Sequence, residues 1–391
     1  RTRSDILGHV TNQGTYLLYA PRCLLAPTTR TPTMAAVCTA EAKAGERAEA
    51  TVTDYALAAT VLAEADYILF AGGAGLSAEC GLKTFANAGT FADGLSYDQV
   101  ASLDSFAKRP GHFYRFWGGM SEAYAKAPLH EGYTILNRWR QRCEAKRTEA
   151  ASVKEAVTEA EAKTQAEAEA ETQVEEEASR SVPAATFAVT SNVDGYFVRC
   201  GFPPEQVAEI HGNVRTWQCG GKPTGKRFPL IERERCGDAL LPPPDLSAFT
   251  SPPSADAADD AAEDAPPPAC PRCGDGRMRP HVYLFGDGNR FANDAGTTKT
   301  AAYREWTDAV VQRATALGAR VAIVEVGSGL RVPTIRKRCE ELLARLPGGQ
   351  GALIRINPDH PDQPIVASPT HSFQEGAVNC LVGIEAALGA R

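Results

Sequence analysis

Thr186-Phe187-Ala188-Val189-Thr190-Ser191-Asn192-Val193-Asp194-Gly195 is the stretch on which the fold turns. Its first four residues read as an apolar strand. The next six deliver an amide, a carboxylate and a glycine to that strand's carboxyl end, where open α/β sheets bind ligands. A short way downstream, Val207-Ala208-Glu209-Ile210-His211-Gly212 is a second strand-like run, ending in one imidazole and a glycine. Upstream, Asp66-Tyr67-Ile68-Leu69-Phe70-Ala71 reads as a buried parallel strand leading into Gly73-Ala74-Gly75-Leu76-Ser77.

Moving outward, strand-like runs return at Val321-Ala322-Ile323-Val324-Glu325-Val326 and Leu353-Ile354-Arg355-Ile356-Asn357, with a helical stretch from Thr334 to Leu346 between them. This βαβ alternation predicts an α/β protein, a parallel sheet with helices on both faces. An amphipathic helix is expected over Tyr55 to Ala65. Residues 96–143 read as helical, with Pro110 and Pro128 as breakers. Residues 144–182 are Ala/Glu-rich and read as an exposed helix or a disordered insert. Residues 241–269, rich in Pro, Ala and Asp, read as a solvated loop. Residues 1–52 show no periodicity and are expected to be disordered or leader-like. The chain opens on Arg1. The stretch before Met34 holds four Arg and a single acid, Asp5, which fits a transit-like leader, untranslated sequence or a fragment boundary equally.

With 391 residues, 43% of them hydrophobic, the chain can build a full core. A net charge of −7 gives no sign of a nucleic-acid surface. No apolar run reaches the roughly 20 residues a bilayer span needs. Eleven cysteines in no regular framework argue against a secreted disulfide scaffold, so an intracellular setting with reduced thiols is expected.

Gly73-x-Gly75-x-x-Ala78 matches the loose dinucleotide fingerprint, in which glycines admit a pyrophosphate and the following helix offers free N–H groups; a tight structural turn is the plainer alternative. Cys270-Pro-Arg-Cys273-Gly274 is a CxxC knuckle suited to a metal. Tetrahedral zinc needs four ligands, and Cys219 and Cys236 are the nearby candidates, although Gly220, Gly221 and Lys222 stand where a close second ligand would fall. A decayed knuckle with free thiols is the alternative. His211 alone could be an ordinary structural histidine.

Taken in order, these blocks resemble the sirtuin family and, in Thr190–Gly195, Val332–Arg336 and Leu353–Pro358, a bacterial-type branch of it. Arg279-Pro280-His281-Val282-Tyr283-Leu284-Phe285-Gly286-Asp287 resembles the family's substrate loop, Gly327-Ser328-Gly329 a later cofactor turn, and Asn357 an adenosine-side asparagine. The resemblance covers about Asp54 to Leu388. It implies a Rossmann-like domain within 53–391, with a small zinc and helical module at about 213–280. It further implies NAD and an acyl-lysine protein as reactants, with free lysine, nicotinamide and O-acyl-ADP-ribose as products. Asn192, Asp194 and His211 would be catalytic, His211 as general base on the ribose hydroxyls. Gly73, Ala74, Gly75, Ser77, Phe85, Ser191, Gly327, Ser328 and Asn357 would line the cofactor. Val282, Tyr283, Leu284 and Phe285 would pair with the peptide, and Cys219, Cys236, Cys270 and Cys273 would hold zinc.

The chain departs from the family where an Asp-Phe-Arg triplet is usual. It has Thr84-Phe85-Ala86, which removes a charge-assisted contact to the cofactor side. Two other readings follow from that change: protein ADP-ribosylation in the same pocket, or a module that binds NAD or ADP-ribose without turnover. No nucleic-acid or membrane partner is expected. The site is expected to be cytoplasmic or nuclear, with an organellar leader as the alternative.

Overall fold

The computed structural model describes residues 51–82, 94–162, 184–221, 236, 239–250, 265–288, 291 and 294–390. The expectations for residues 1–50, for Lys83 to Ala86 and for insert residues 163–182 and 251–264 lie outside these residues; within the stretch read as a solvated loop, Ser247–Thr250 is instead helical and Phe249 is buried in an aromatic core. All described residues belong to the unit Ala48–Arg391.

Helix α1 (Val52–Glu64) starts on a capping box: Asp54 N–H donates to Thr51 Oγ1, and Asp54 Oδ2 accepts from Thr51 N–H at 2.8 Å. Such a cap is worth about 1 kcal/mol. Strand β1 (Tyr67–Gly72) follows, then a short helix α2 (Ala74–Ala78), α3 (Pro110–Lys126) and α4 (Glu131–Ala162). Pro110 opens α3 at its first turn, where its missing N–H costs nothing, instead of merely interrupting a helix. Strands β2 (Thr186–Thr190) and β3 (Val207–Glu209) come next, then β4 (Gly212–Cys219) and β5 (Met278–Val282). The chain closes with α5 (Asp294–Leu317), β6 (Val321–Val326), α6 (Thr334–Arg345), β7 (Gly351–Ile356), β8 (His371–Phe373) and α7 (Ala377–Gly389).

Six strands form one parallel sheet in the order β3-β2-β1-β6-β7-β8. Side chains alternate across it as strand geometry requires. Ile68 and Phe70 of β1 face a core made with α1, α4 and α7, whereas Tyr67, Leu69 and Ala71 face a second core under α5 and α6. Both faces of the central strands are covered, so β1 and β6 read as continuous apolar runs.

The strand order reverses between β1 and β6. That switch point opens a crevice at the carboxyl ends of the strands, the usual ligand position in such sheets. Strands β4 and β5 form a separate antiparallel pair, packed on an aromatic cluster that includes Phe106, Tyr114, Trp117 and Trp217. Among the described residues, no helix is long and apolar enough to cross a membrane.

Candidate active site and metal centre

The β1–α2 loop and the β6–α6 loop meet at the switch point. Gly75 N–H donates to the Gly327 carbonyl at 3.0 Å, and Gly73 N–H to Val326 at 2.9 Å. Gly327 has φ +70, and a Cβ there would lie 2.2 Å from Leu76 N. A Cβ on Gly73 or Gly75 would in turn strike the Gly327 backbone at 2.6 Å or 2.7 Å. The glycines of the fingerprint therefore first allow two loops to touch, before any ligand is considered. Helix α2 is only 5 residues long, and its Leu76 N–H is spent on the Gly73 carbonyl, so the expected row of open helix N–H groups is short.

A groove of about 290 Å³ runs over this junction, lined by Gly73, Gly75, Gly327, Ser328 and Asn357 among others. It adjoins a cleft of about 450 Å³ that contains Asn192, Asp194 and His211; Ala74, Ser191 and Val332 line both. Asn357 spends its amide inside the protein: Nδ2 donates to the Ser328 carbonyl at 2.9 Å, and Oδ1 accepts from Asp359 and His360 N–H. It thereby shapes the groove floor. Ser328 Oγ is buried without a partner among the described residues, an unmet polar atom at the groove.

The three polar residues of the sequence reading converge on the larger cleft. Thr190 Oγ1 donates to the Gly72 carbonyl and accepts Asn192 N–H, so the end of β2 is bound to the end of β1. Asn192 Nδ2 donates to the Gly73 carbonyl and to Ser77 Oγ, both at 3.0 Å. Ser77 donates to Asp194 Oδ2 at 2.7 Å, while Asp194 Oδ1 accepts Tyr196 N–H at 2.9 Å. Burial pushes the Asp194 carboxyl up to about 6, against these two bonds. Ser77, expected to touch the cofactor, is buried and has three polar neighbours inside the protein: Asn192, Asp194 and the hydroxyl of Tyr133 at 2.8 Å.

His211 sits at the turn between β3 and β4. Gly212, at φ +82, makes that turn; a Cβ there would fall 1.9 Å from the His281 carbonyl oxygen. The imidazole is held by the Ser191 backbone, and its plane lies 25° from Tyr283 with ring centroids 6.3 Å apart. Burial lowers its pKa below the ordinary 6.5, so the ring is a neutral base at physiological pH.

Val282, Tyr283, Leu284 and Phe285 line the same cleft, but most of their backbone is already engaged. Tyr283 N–H donates to the His211 carbonyl, Leu284 N–H to Asp287 Oδ2, and Phe285 pairs with Ala101 and Leu103. An ion pair that sequence reading missed holds this loop shut. Arg279 forks onto Asp287 at 2.6 and 2.5 Å and donates to the Val282 carbonyl, with both side chains essentially fully buried. The two charges close the quoted motif at either end, and that symmetry was the available signal. A second missed cluster joins Glu325, Arg336, Glu340 and Arg355, all 0% exposed. Arg336 donates to the Ser328 carbonyl at 2.7 Å, bracing the groove from below. Phe85 lies outside the described residues.

The cysteine question has a geometric answer. The Sγ atoms of Cys219, Cys236, Cys270 and Cys273 all lie within 4.8 Å of one another. Cys219 and Cys273 are 3.9 Å apart, Cys236 and Cys270 3.8 Å. Zinc–sulfur bonds of about 2.3 Å at tetrahedral angles require sulfur edges of about 3.8 Å. Gly221 and Gly276 N–H groups point at Cys219 and Cys273 sulfur, as thiolate ligands need. The residues therefore fit zinc, and the irregular spacing of Cys219 and Cys236 is no obstacle: the β4–β5 pairing sets Cys219 opposite Met278, just past the Cys270–Cys273 knuckle, and the Cys236 sulfur joins them.

No family model matches the chain. It is 27% identical over 177 residues to an NAD-dependent protein deacylase of Aquifex aeolicus (strain VF5), covering 44% of this chain and 56% of that protein. It is 25% identical over 236 residues to the mitochondrial NAD-dependent protein deacylase sirtuin-5 of Canis lupus familiaris, covering 58% of each. The chain thus spans a little over half the length of the curated relatives it matches. Among solved structures it is similar to a Sir2 homolog–NAD complex at TM-score 0.48 and 20% identity, covering 88% of this chain and 97% of that one. A second, a mutant Sir2 homologue with 2'-O-acetyl ADP ribose, gives TM-score 0.48 and 19% identity over 85% of this chain and 96% of that one. Both of these curated relatives are named NAD-dependent protein deacylases, and the chain is similar to the sirtuins.

Proposed function

We propose that the protein is an NAD-dependent protein-lysine deacylase. The observation that carries this reading is the meeting of Asn192, Asp194 and His211 on one cleft, next to a glycine-lined groove. Four features support NAD as co-substrate: the adjoining cavities, the close-packed glycine turns, the unmet Ser328 hydroxyl and the deacylase relatives. When bound, the dinucleotide supplies a ribosyl carbon that accepts the acyl oxygen as nicotinamide departs.

The chain's own residues divide the remaining work. Asn192 is oriented by Gly73 and Ser77, which leaves its Oδ1 to accept a bond from the nicotinamide amide. Asp194, anchored by Ser77 and Tyr196, offers a carboxylate beside it. His211 is neutral and fixed by the Ser191 backbone, so it can take a proton from a ribose hydroxyl without first losing one. Tyr283, Leu284 and Phe285 at the cleft form an apolar rim where an acyl-lysine would enter. The cysteine cluster, none of whose members lines the cleft or the groove, would hold zinc in a closed four-sulfur site with a structural role.

Incubation with NAD and an acetyl-lysine peptide should release nicotinamide, and His211→Ala should reduce that release by at least ~100-fold, the usual worth of a general base. Equal release by the variant would refute the assignment of His211.

A further inference from the structure

We propose that Tyr133, which lies outside every motif quoted above, is a positioning residue: its hydroxyl donates to Ser77 and thereby strengthens the hydrogen bond that holds ionised Asp194 as an acceptor in the cleft. That Asp194 then meets nicotinamide rests on the deacylase reading; the hydrogen-bond arrangement does not.

Tyr133 stands in the first turn of α4 and is 0% exposed. Its ring is gripped by His130 at 5.0 Å, Tyr196 at 5.7 Å and Phe197 at 5.9 Å, so the hydroxyl has little freedom. That hydroxyl lies 2.8 Å from Ser77 Oγ. A serine hydroxyl has one proton and two lone pairs. Asn192 Nδ2 must donate to Ser77, because the same amide nitrogen faces the Gly73 carbonyl, which can only accept. An ionised Asp194 can only accept, so the Ser77 proton points to it. One lone pair remains, and Tyr133 must donate into it. Ser77 is then saturated.

The donor chain Tyr133 to Ser77 to Asp194 has a directional consequence. To bond Ser77, a protonated Asp194 must reverse the chain: it donates to Ser77, whose proton turns to the Tyr133 oxygen. With Asp194 ionised, the Tyr133 donor instead polarises the Ser77 hydroxyl and strengthens its bond to the carboxylate, a gain lost when the Tyr133 hydroxyl is removed. The other titratable groups around Asp194 among the described residues include Cys80, Tyr124, Tyr196, Cys200, Glu209 and Arg215; Glu209 favours its neutral form and Arg215 its charged form.

The test is a carbon-13 NMR titration of the Asp194 carboxyl in the full chain without NAD, its signal assigned by loss in Asp194→Asn. Tyr133→Phe should move the midpoint up by about 0.1–0.6 pH unit, the cooperative share of a hydrogen bond to a charged group. In a Ser77→Ala background the same substitution should move nothing. Placing 3,5-difluorotyrosine at 133 preserves packing and strengthens the donor, so the midpoint should fall. This variant decides the matter if Tyr133→Phe does not fold. An unmoved midpoint in either variant, or an equal shift without Ser77, would overturn the proposal. A shifted midpoint in a protein that releases no nicotinamide would refute the deacylase reading alone.

Discussion

Replacing Gly327 by alanine should uncouple the two loops that build the groove. The residue has φ +70, which costs an L-residue about 1–2 kcal/mol. The new methyl would also meet Leu76 N at 2.2 Å, Gly75 C at 2.5 Å and Gly75 Cα at 2.6 Å. All three are backbone atoms and cannot rotate away, so the loops must part. Forced overpacking of this kind adds about 1–3 kcal/mol. The sum, about 2–5 kcal/mol, corresponds to a fall in Tm of roughly 2–6 °C for a chain of this size. Parting the loops by even ~1 Å should also weaken productive binding by on the order of 100-fold. Gly329→Ala is the control, since a Cβ there meets no heavy atom within 4 Å and its φ is unremarkable for any residue. Differential scanning calorimetry and NAD titration calorimetry on both variants measure the two effects. If Gly327→Ala melts with the wild type and binds NAD as well, the loop contact does not organise the groove.

Asp194→Asn should raise stability at pH 8 by up to ~3 kcal/mol and change little at pH 4. The carboxyl binds its proton more tightly folded than unfolded, so its contribution is complete below 3.8 and is lost as pH rises through about 6. Denaturant melts at the two pH values check the sign; a loss at pH 8 would contradict it. His211 behaves oppositely: its folded pKa lies below 6.5, so acidification below that value should destabilise the fold, and His211→Gln should remove that part of the acid sensitivity. Purified protein should carry one zinc per chain, and Cys236→Ser should lose it, as read by metal analysis; full retention would mean that sulfur is not a ligand. Arg336→Met should destabilise by ~3–5 kcal/mol in urea melts, because Glu325 loses a buried partner and the Ser328, His360 and Gln363 carbonyls lose their donor.

What could be read in advance was whatever leaves a local trace. Short apolar runs located β1, β2, β6 and β7 within two residues, because strands buried on both faces have little polar alternation to blur them. Asn192, Asp194 and His211 could be singled out because each lies just past the end of an apolar strand. Tyr133 could not be, since a tyrosine on a helix carries no mark of the hydroxyl waiting across the core. Arg355 and Glu325 left a faint signal: opposite charges inside two apolar runs, which turn out to be direct register partners in neighbouring strands. The place of Cys219 beside the Cys270–Cys273 knuckle was obscured because proximity there is a product of the β4–β5 ladder and not of spacing along the chain.

The four-sulfur cluster gathers three widely separated points of the polypeptide onto one spot. Chain between fixed anchors can lengthen cheaply, since doubling a flexible loop costs only about 0.6 kcal/mol in closure entropy. Peripheral segments threaded through such a clasp are thus free to gain or lose residues over generations, and the geometry of the reaction chamber need not register the change.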